Sequence, residues 1–322
     1  MVDVLINITL LFIISFVLYK AATFFVHSLQ NLTKDRPISR FFLAAFFIGI
    51  ATSLPEMFIS VLSGFEGYPE LAVGNALGSN ITNLALVVPL IILFTQKSLK
   101  VDTESFSLRN ALLILSATLL PFVLLLDRSL GFTDAVFLFF MFIIYSSYIF
   151  YHKHEKYGFF SLLEKIKEVF NHKDNWKDLV VIFFSLLTLI LGSAAVVRVS
   201  VRLSHLLETE LFVIGAVLVA VATSLPELLV GLAAARKKDS DIVFGEILGS
   251  LVTNANLVVG LAALKKPVVF IDLTSYTFST LFLFFTFVLF YIFSLTQKKI
   301  TKLEAGILLS VYMLFVFIEY FV

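Results

Sequence analysis

The sequence predicts an all-α polytopic membrane protein of ten transmembrane helices, arranged as a 5+5 inverted-topology repeat. Three observations predict it. The chain is 59% hydrophobic and only 15% charged, with a mean hydropathy of +0.99, whereas soluble domains carry far more charge. Its apolar residues fall in runs of about 20, the length at which a helix crosses a bilayer core. Finally, residues 45–90 return at 216–261 without a gap, so that Ala51-Thr52-Ser53-Leu54-Pro55-Glu56 recurs as Ala222-Thr223-Ser224-Leu225-Pro226-Glu227.

Taken in order, the spans run roughly over residues 4–27, 38–64, 70–95, 107–126, 132–152, 179–204, 209–235, 242–264, 273–294 and 302–321. The first apolar run begins at once, with no basic segment before it and no clear cleavage site. It reads as a retained helix and not as a signal peptide. Residues 1–152 form the first five-helix repeat, 153–178 a charged linker, and 179–322 the second repeat. Within the linker Phe159, Leu162, Leu163, Ile166, Val169 and Phe170 fall at helical spacing. They suggest either an amphipathic helix on the membrane surface or a passive connector. No segment is long enough for a soluble catalytic domain.

Lys and Arg set the orientation. Numbering the loops one to nine, the odd loops hold Lys34, Arg36 and Arg40, then Lys97, Lys100 and Arg109, six lysines of the linker, Arg236 to Lys238, and Lys298, Lys299 and Lys302. The even loops hold only Arg128, Arg198, Arg202, Lys265 and Lys266. The bias predicts a multi-pass protein of the cell membrane with odd loops and linker cytoplasmic and both termini extracellular. A net charge of +1 gives no reason to expect a nucleic-acid partner. The absence of Cys excludes disulfides and thiolate metal sites. Protein partners cannot be read from the sequence; the lipid bilayer is the expected surroundings.

Each half carries five spans. Five is odd, so the second half enters the membrane from the opposite side, and such repeats set substrate sites on interrupted helices at their interface. The conserved offset, 171 residues from Glu56 to Glu227, pairs Gly74 with Gly245, Gly78 with Gly249, Ser79 with Ser250, Thr82 with Thr253 and Asn83 with Asn254. An acidic side chain at mid-membrane costs about 2.5–3.5 kcal/mol on insertion scales. A proline there removes a helix hydrogen bond, freeing the carbonyls of Ala51 and Ala222. Both penalties fall at one spot, twice. They predict a pair of broken helices whose oxygens coordinate a cation.

Spacing sharpens this reading. Thr52, Ser53 and Glu56 share one helix face, as do their counterparts. In the next span Asn75, Ser79 and Asn83 lie four apart, matched by Glu246, Ser250 and Asn254. Oxygen-only donors suit Na⁺, Ca²⁺ or Mg²⁺, and the lack of His and Cys in the motifs argues against zinc or copper. Taken singly, a membrane Ser or Thr usually bonds its own helix, and an Asn is as readily interhelical glue. For Glu56 and Glu227 an ion pair is the plain alternative, but no Lys or Arg lies in the motif.

The two ATSLPE segments, each followed by Gly-x-x-x-Gly-Ser (Gly74 to Ser79, Gly245 to Ser250), resemble the alpha-repeats of the cation/Ca²⁺ exchanger superfamily, with the prokaryotic sodium/calcium exchanger branch the nearest likeness. The resemblance implies a transporter and no enzyme: antiport of Ca²⁺ against Na⁺ with no cofactor. It implies Glu56 and Glu227 as central Ca²⁺ ligands. Thr52, Ser53, Thr223 and Ser224 would supply further oxygens, and Ser79 and Ser250 would serve flanking Na⁺. Asn83 and Asn254 would lie near the centre, with carbonyl ligands at Gly49 and Ala220. Some relatives carry Asp where Asn254 stands; the neutral amide implies independence of K⁺. Glu246 departs from the family, which would place Asn there as at Asn75. It reads either as a solvated residue at the cytoplasmic mouth or as a third carboxylate that attracts cations or binds a proton.

The mechanism expected is alternating access, with spans one and six moving as a gating pair. Ca²⁺/H⁺ exchange and a cation channel are the alternatives. An intramembrane hydrolase is disfavoured, because no His lies near the repeated Ser, Thr and Glu.

Overall fold

Helices carry nearly all of the computed structural model, as they must where lipid offers the backbone no hydrogen-bond partner. The structure describes residues 2–32, 52–95, 99–100, 107–152, 176–269 and 273–321. Gly49, Ala51, the first-loop cations and the amphipathic stretch expected within residues 159–170 lie outside these. In chain order the helices are α1 (Val2–Leu32), α2 (Leu54–Glu66), α3 (Pro69–Thr95), α4 (Leu108–Leu124) and α5 (Phe132–His152). The second half supplies α6 (Trp176–Leu207), α7 (Leu211–Arg236, interrupted at Ser224), α8 (Ser240–Ala262), α9 (Thr274–Leu295) and α10 (Lys302–Phe321). Among the described residues, eight of these are long and apolar enough to cross a membrane; α5 has a shorter apolar stretch, Phe132–Tyr148, and α2 is described only as thirteen residues.

Burial separates an inner from an outer layer. The apolar windows of α3 and α8 are 78% and 89% buried, whereas those of α1 and α6 are 22% and 28% buried. The inner helices are therefore wrapped by protein, and the outer ones turn most of their surface to lipid. Small residues permit the inner contacts. A Cβ at Gly74 would lie 2.1 Å from the Phe212 carbonyl oxygen, and one at Gly78 would lie 2.0 Å from that of Ala216. Helix α3 thus presses backbone to backbone on α7, the close approach that Gly allows between membrane helices. The helices α1 and α6 pack on each other, with Leu18 over Gly192, and share a separate apolar cluster with Ile59 of α2 and Ile214 of α7.

Two short antiparallel pairings fix which loops share a face. Strand β1 (Leu99–Lys100), after α3, pairs with β4 (Lys299–Ile300), after α9. Strand β2 (Ser129–Leu130), after α4, pairs with β3 (Val268–Val269), after α8. The first pair joins loops three and nine, the second loops four and eight. Odd loops meet odd, and even meet even, as two halves of opposite topology require.

The turns between α2 and α3 and between α7 and α8 are also related by the repeat. Gly67 has φ 93°, and Lys238, its counterpart 171 residues on, has φ 61°. Both reverse the chain in the left-handed region. Tyr68 N–H bonds to the Ser63 carbonyl at 2.8 Å, and Asp239 N–H to that of Ala234 at 3.0 Å. One sequence expectation at a helix end fails. Glu319, near the end of α10, does not reach out to the interface: it is 8% exposed, and neither carboxylate oxygen has a hydrogen-bond partner among the described residues.

Candidate cation site

The interruptions fall at Ser53 and Ser224. Ser53 has φ −82°, ψ 4°, and Ser224 has φ −81°, ψ 5°. A new helix starts at the following Leu, with Pro55 or Pro226 in its first turn, where the missing N–H does least harm. Glu56 and Glu227 thus stand in the first turn of a helix segment, where the backbone dipole favours an anion. The break is narrow. Ser53 O still accepts from Met57 N at 3.0 Å, and Ser224 O from Leu228 N at 3.2 Å.

A second local device accompanies it. Residues Asn83–Val87, Gly215–Val219 and Asn254–Val258 are π-helical, each closed by an i to i+5 bond such as Val88 N–H to Asn83 O. A π turn inserts one residue and swings the side chains around it, and it concentrates at functional sites. Two of the three begin at Asn83 and Asn254, repeat partners.

Between these devices the polar side chains of both halves converge. Thr52 Oγ1 donates to Glu246 Oε1 at 3.3 Å, and Thr223 Oγ1 donates to Asn75 Oδ1 at 3.2 Å. These are the same contact with the halves exchanged. Ser53 Oγ and Ser250 Oγ meet at 2.9 Å, and Ser250 donates on to Glu227 Oε1 at 3.0 Å. Ser79 donates to Asn75 Oδ1 at 3.4 Å. The Thr223 hydroxyl lies beside the Glu56 carboxylate and the Thr52 hydroxyl beside that of Glu227, so each acid is attended from the opposite half.

Glu56, Glu227 and Glu246 are all fully buried, and each of Glu56 and Glu246 feels the charge of Glu227. No lysine, arginine or histidine among the described residues is buried. Both oxygens of Glu56, one each of Glu227 and Glu246, the Ser224 hydroxyl and the whole Asn83 amide lack a hydrogen-bond partner among the described residues. Buried polar groups are normally satisfied. Unsatisfied oxygens clustered around uncompensated acids are the donor set of a hard cation. No three carboxylates or histidines among the described residues stand close enough to hold a metal by themselves. A cation here therefore draws on hydroxyl, amide and main-chain oxygens as well.

The sequence expectations divide accordingly. Thr52, Ser53, Ser79, Thr223, Glu227, Glu246 and Ser250 join one network, with Glu56 beside it. The solvated-mouth reading of Glu246 is wrong: its exposure is 0%, because α8 carries it inside the bundle against Thr52. Asn254 Nδ2 donates to Asn80 Oδ1 at 3.2 Å, whereas Asn83 is left without a partner among the described residues. The Ala220 carbonyl accepts from Ser224 N at 3.0 Å. Gly49 is outside the described residues. Asn80 was not foreseen. Its Nδ2 donates to the Leu251 carbonyl at 3.1 Å, joining two positions that are themselves 171 apart. Its neighbour Ser79 was the available signal, but an apolar repeat partner hid it.

A family model described as sodium/calcium exchanger protein matches residues 6–151 and 177–321. The chain belongs to the sodium/calcium exchanger family. Members of that family are transporters of the antiporter type, not enzymes. The sodium/calcium exchanger MaX1 of Methanosarcina acetivorans is 26% identical over 339 residues, covering 95% of this chain and 96% of that one. The inner membrane protein YrbG of Escherichia coli is 31% identical over 226 residues, 68% of each chain. Among solved structures, the sodium-calcium exchanger NCX_Mj soaked with 10 mM Na⁺ and 10 mM Sr²⁺ superposes with a TM-score of 0.64 at 26% identity, covering 96% of this chain and 97% of that one.

Proposed function

We propose that this chain is a secondary active antiporter that exchanges Ca²⁺ for Na⁺ by alternating access, independently of K⁺. One observation carries the reading: Glu56 and Glu227, buried and without a buried cationic side chain, come from opposite halves to one polar cluster. Two carboxylates balance one Ca²⁺. Several Na⁺ can occupy the same small pocket only when Ca²⁺ has left, because the cations repel at close range. Mutual exclusion, together with two conformations each open to one side, is sufficient for coupled exchange.

In this reading Glu56 and Glu227 are the central ligands. Thr52, Ser53, Thr223 and Ser224 add oxygens, Ser79 and Ser250 hold flanking Na⁺, Asn83 and Asn254 border the centre, and Gly49 and Ala220 offer carbonyls. The neutral Asn254 favours independence of K⁺. The outer pair α1 and α6 slides against the inner bundle; its mutual packing and its apolar, lipid-facing surface support that role. Ten spans in two five-helix repeats, with both termini extracellular and residues 153–178 cytoplasmic, complete the proposal. The printed names of MaX1 and NCX_Mj support Na⁺ and Ca²⁺ as the ions.

The test is ⁴⁵Ca flux in proteoliposomes with Na⁺, K⁺ and pH gradients imposed separately. A Na⁺ gradient alone should drive uptake. Uptake driven by pH without Na⁺ would replace the reading with Ca²⁺/H⁺ exchange, and flux beyond carrier turnover would replace it with a channel.

A further inference from the structure

The geometry points to a monovalent-cation subsite at Glu246, beside the divalent site, so that the Ca²⁺-loaded pocket retains one Na⁺. This inference rests on the antiporter reading above and extends it to the composition of the loaded state.

The argument begins with charge. Three carboxylates are fully buried in one cluster: Glu56, Glu227 and Glu246, with Glu246 sensing both others. No lysine, arginine or histidine among the described residues is buried with them. One Ca²⁺ balances two of the three negative charges. The third would remain as an isolated ion out of reach of water, which proteins avoid by pairing it. A second divalent ion would overshoot. A monovalent cation closes the balance.

Geometry locates that cation. Glu246 Oε1 accepts from Thr52 at 3.3 Å, while Oε2 has no partner among the described residues. Glu227 shows the same division: Oε1 accepts from Ser250 at 3.0 Å, and Oε2 is unpartnered. Two buried carboxylate oxygens are thus left unused within one cluster, and oxygen donors are what Na⁺ takes. The repeat supplies an internal control. The position equivalent to Glu246 is Asn75, which is neutral, and its Oδ1 already accepts from Thr223 and Ser79. The first half therefore neither needs nor offers this subsite, and the pocket is asymmetric.

The experiment counts ions at equilibrium on the purified full-length chain, using ²²Na⁺ and ⁴⁵Ca²⁺ at saturating Ca²⁺ and low millimolar Na⁺. The wild type should retain about one ²²Na⁺ per bound ⁴⁵Ca²⁺. Glu246→Gln should retain none, with ⁴⁵Ca²⁺ affinity weakened by less than about tenfold. Glu246→Asp should keep the ²²Na⁺. A Ca²⁺-loaded wild type without ²²Na⁺ overturns the subsite, including the case in which a proton is taken up in its place. So does a Glu246→Gln variant that retains as much ²²Na⁺ as the wild type. Should Glu246→Gln elute as aggregate, the wild-type count and Glu246→Asp still decide. Glu56→Gln reports separately on the underlying reading: ⁴⁵Ca²⁺ binding that survives it defeats the divalent site, whatever the ²²Na⁺ count.

Discussion

Thr52 donates to Glu246 across the two halves, at 3.3 Å and out of contact with solvent. The repeat partner of this bond, Thr223 to Asn75, is equally short, but it ends on an amide. The fold is thus symmetric where the charge is not. A hydrogen bond to an ionised acceptor is roughly twice as strong as a neutral one, and the loss of a partner leaves a buried acceptor with a penalty of about 1–3 kcal/mol.

Thr52→Val should therefore impair Na⁺ activation more than Thr223→Val. We expect about a tenfold rise in the Na⁺ concentration for half-activation for Thr52→Val, which corresponds to about 1.4 kcal/mol. Na⁺-dependence curves of ⁴⁵Ca uptake check it.

Gly78→Ala should disrupt the bundle. The new methyl would lie 2.0 Å from the Ala216 carbonyl oxygen, a contact with backbone that no rotamer can relieve. Overpacking of this kind costs about 1–3 kcal/mol or more. Thermal unfolding of the detergent-solubilised protein should show a clearly lowered Tm, or no folded material.

The left-handed turns predict a stabilised variant. Lys238 holds φ 61° with a Cβ, whereas Gly67 holds φ 93° without one. The left-handed conformation costs an L-residue about 1–2 kcal/mol. Lys238→Gly should raise stability by up to about 1 kcal/mol. Gly67→Ala should lower it by a similar amount although nothing lies within 4 Å of the added Cβ. Opposite shifts in Tm would establish that conformation, not packing, sets both.

Locking α6 to α2 should stop exchange. The chain has no Cys, so a pair of introduced cysteines can be crosslinked without a competing thiol. If α1 and α6 gate the site together, the crosslink abolishes ⁴⁵Ca uptake and reduction restores it. Undiminished uptake through the crosslinked protein would exclude the sliding pair.

Much of this was legible in the sequence, for definable reasons. Proline and glutamate are costly in lipid, so Pro55-Glu56 and Pro226-Glu227 marked the interruptions. The constant offset of 171 residues marked the second half, and lysine bias assigned loops to faces that the pairings of Leu99 with Ile300 and Ser129 with Val269 respect. Other features left no signature. The π turns at Asn83 and Asn254 shift register by one residue with no compositional signal. The burial of Glu246 runs against the ordinary preference of an acid for water, and only packing of α8 against Thr52 reveals it. Asn80 bonds to the main chain of Leu251, and a carbonyl carries no side-chain identity to read.

The central claim is that Glu56 and Glu227 jointly hold the transported Ca²⁺. Its most direct test is Na⁺-gradient-driven ⁴⁵Ca uptake by proteoliposomes containing wild type, Glu56→Gln or Glu227→Gln, each shown by size-exclusion chromatography to be folded. The account predicts uptake by the wild type and none by either variant. Sustained Ca²⁺ uptake by either folded variant would contradict it.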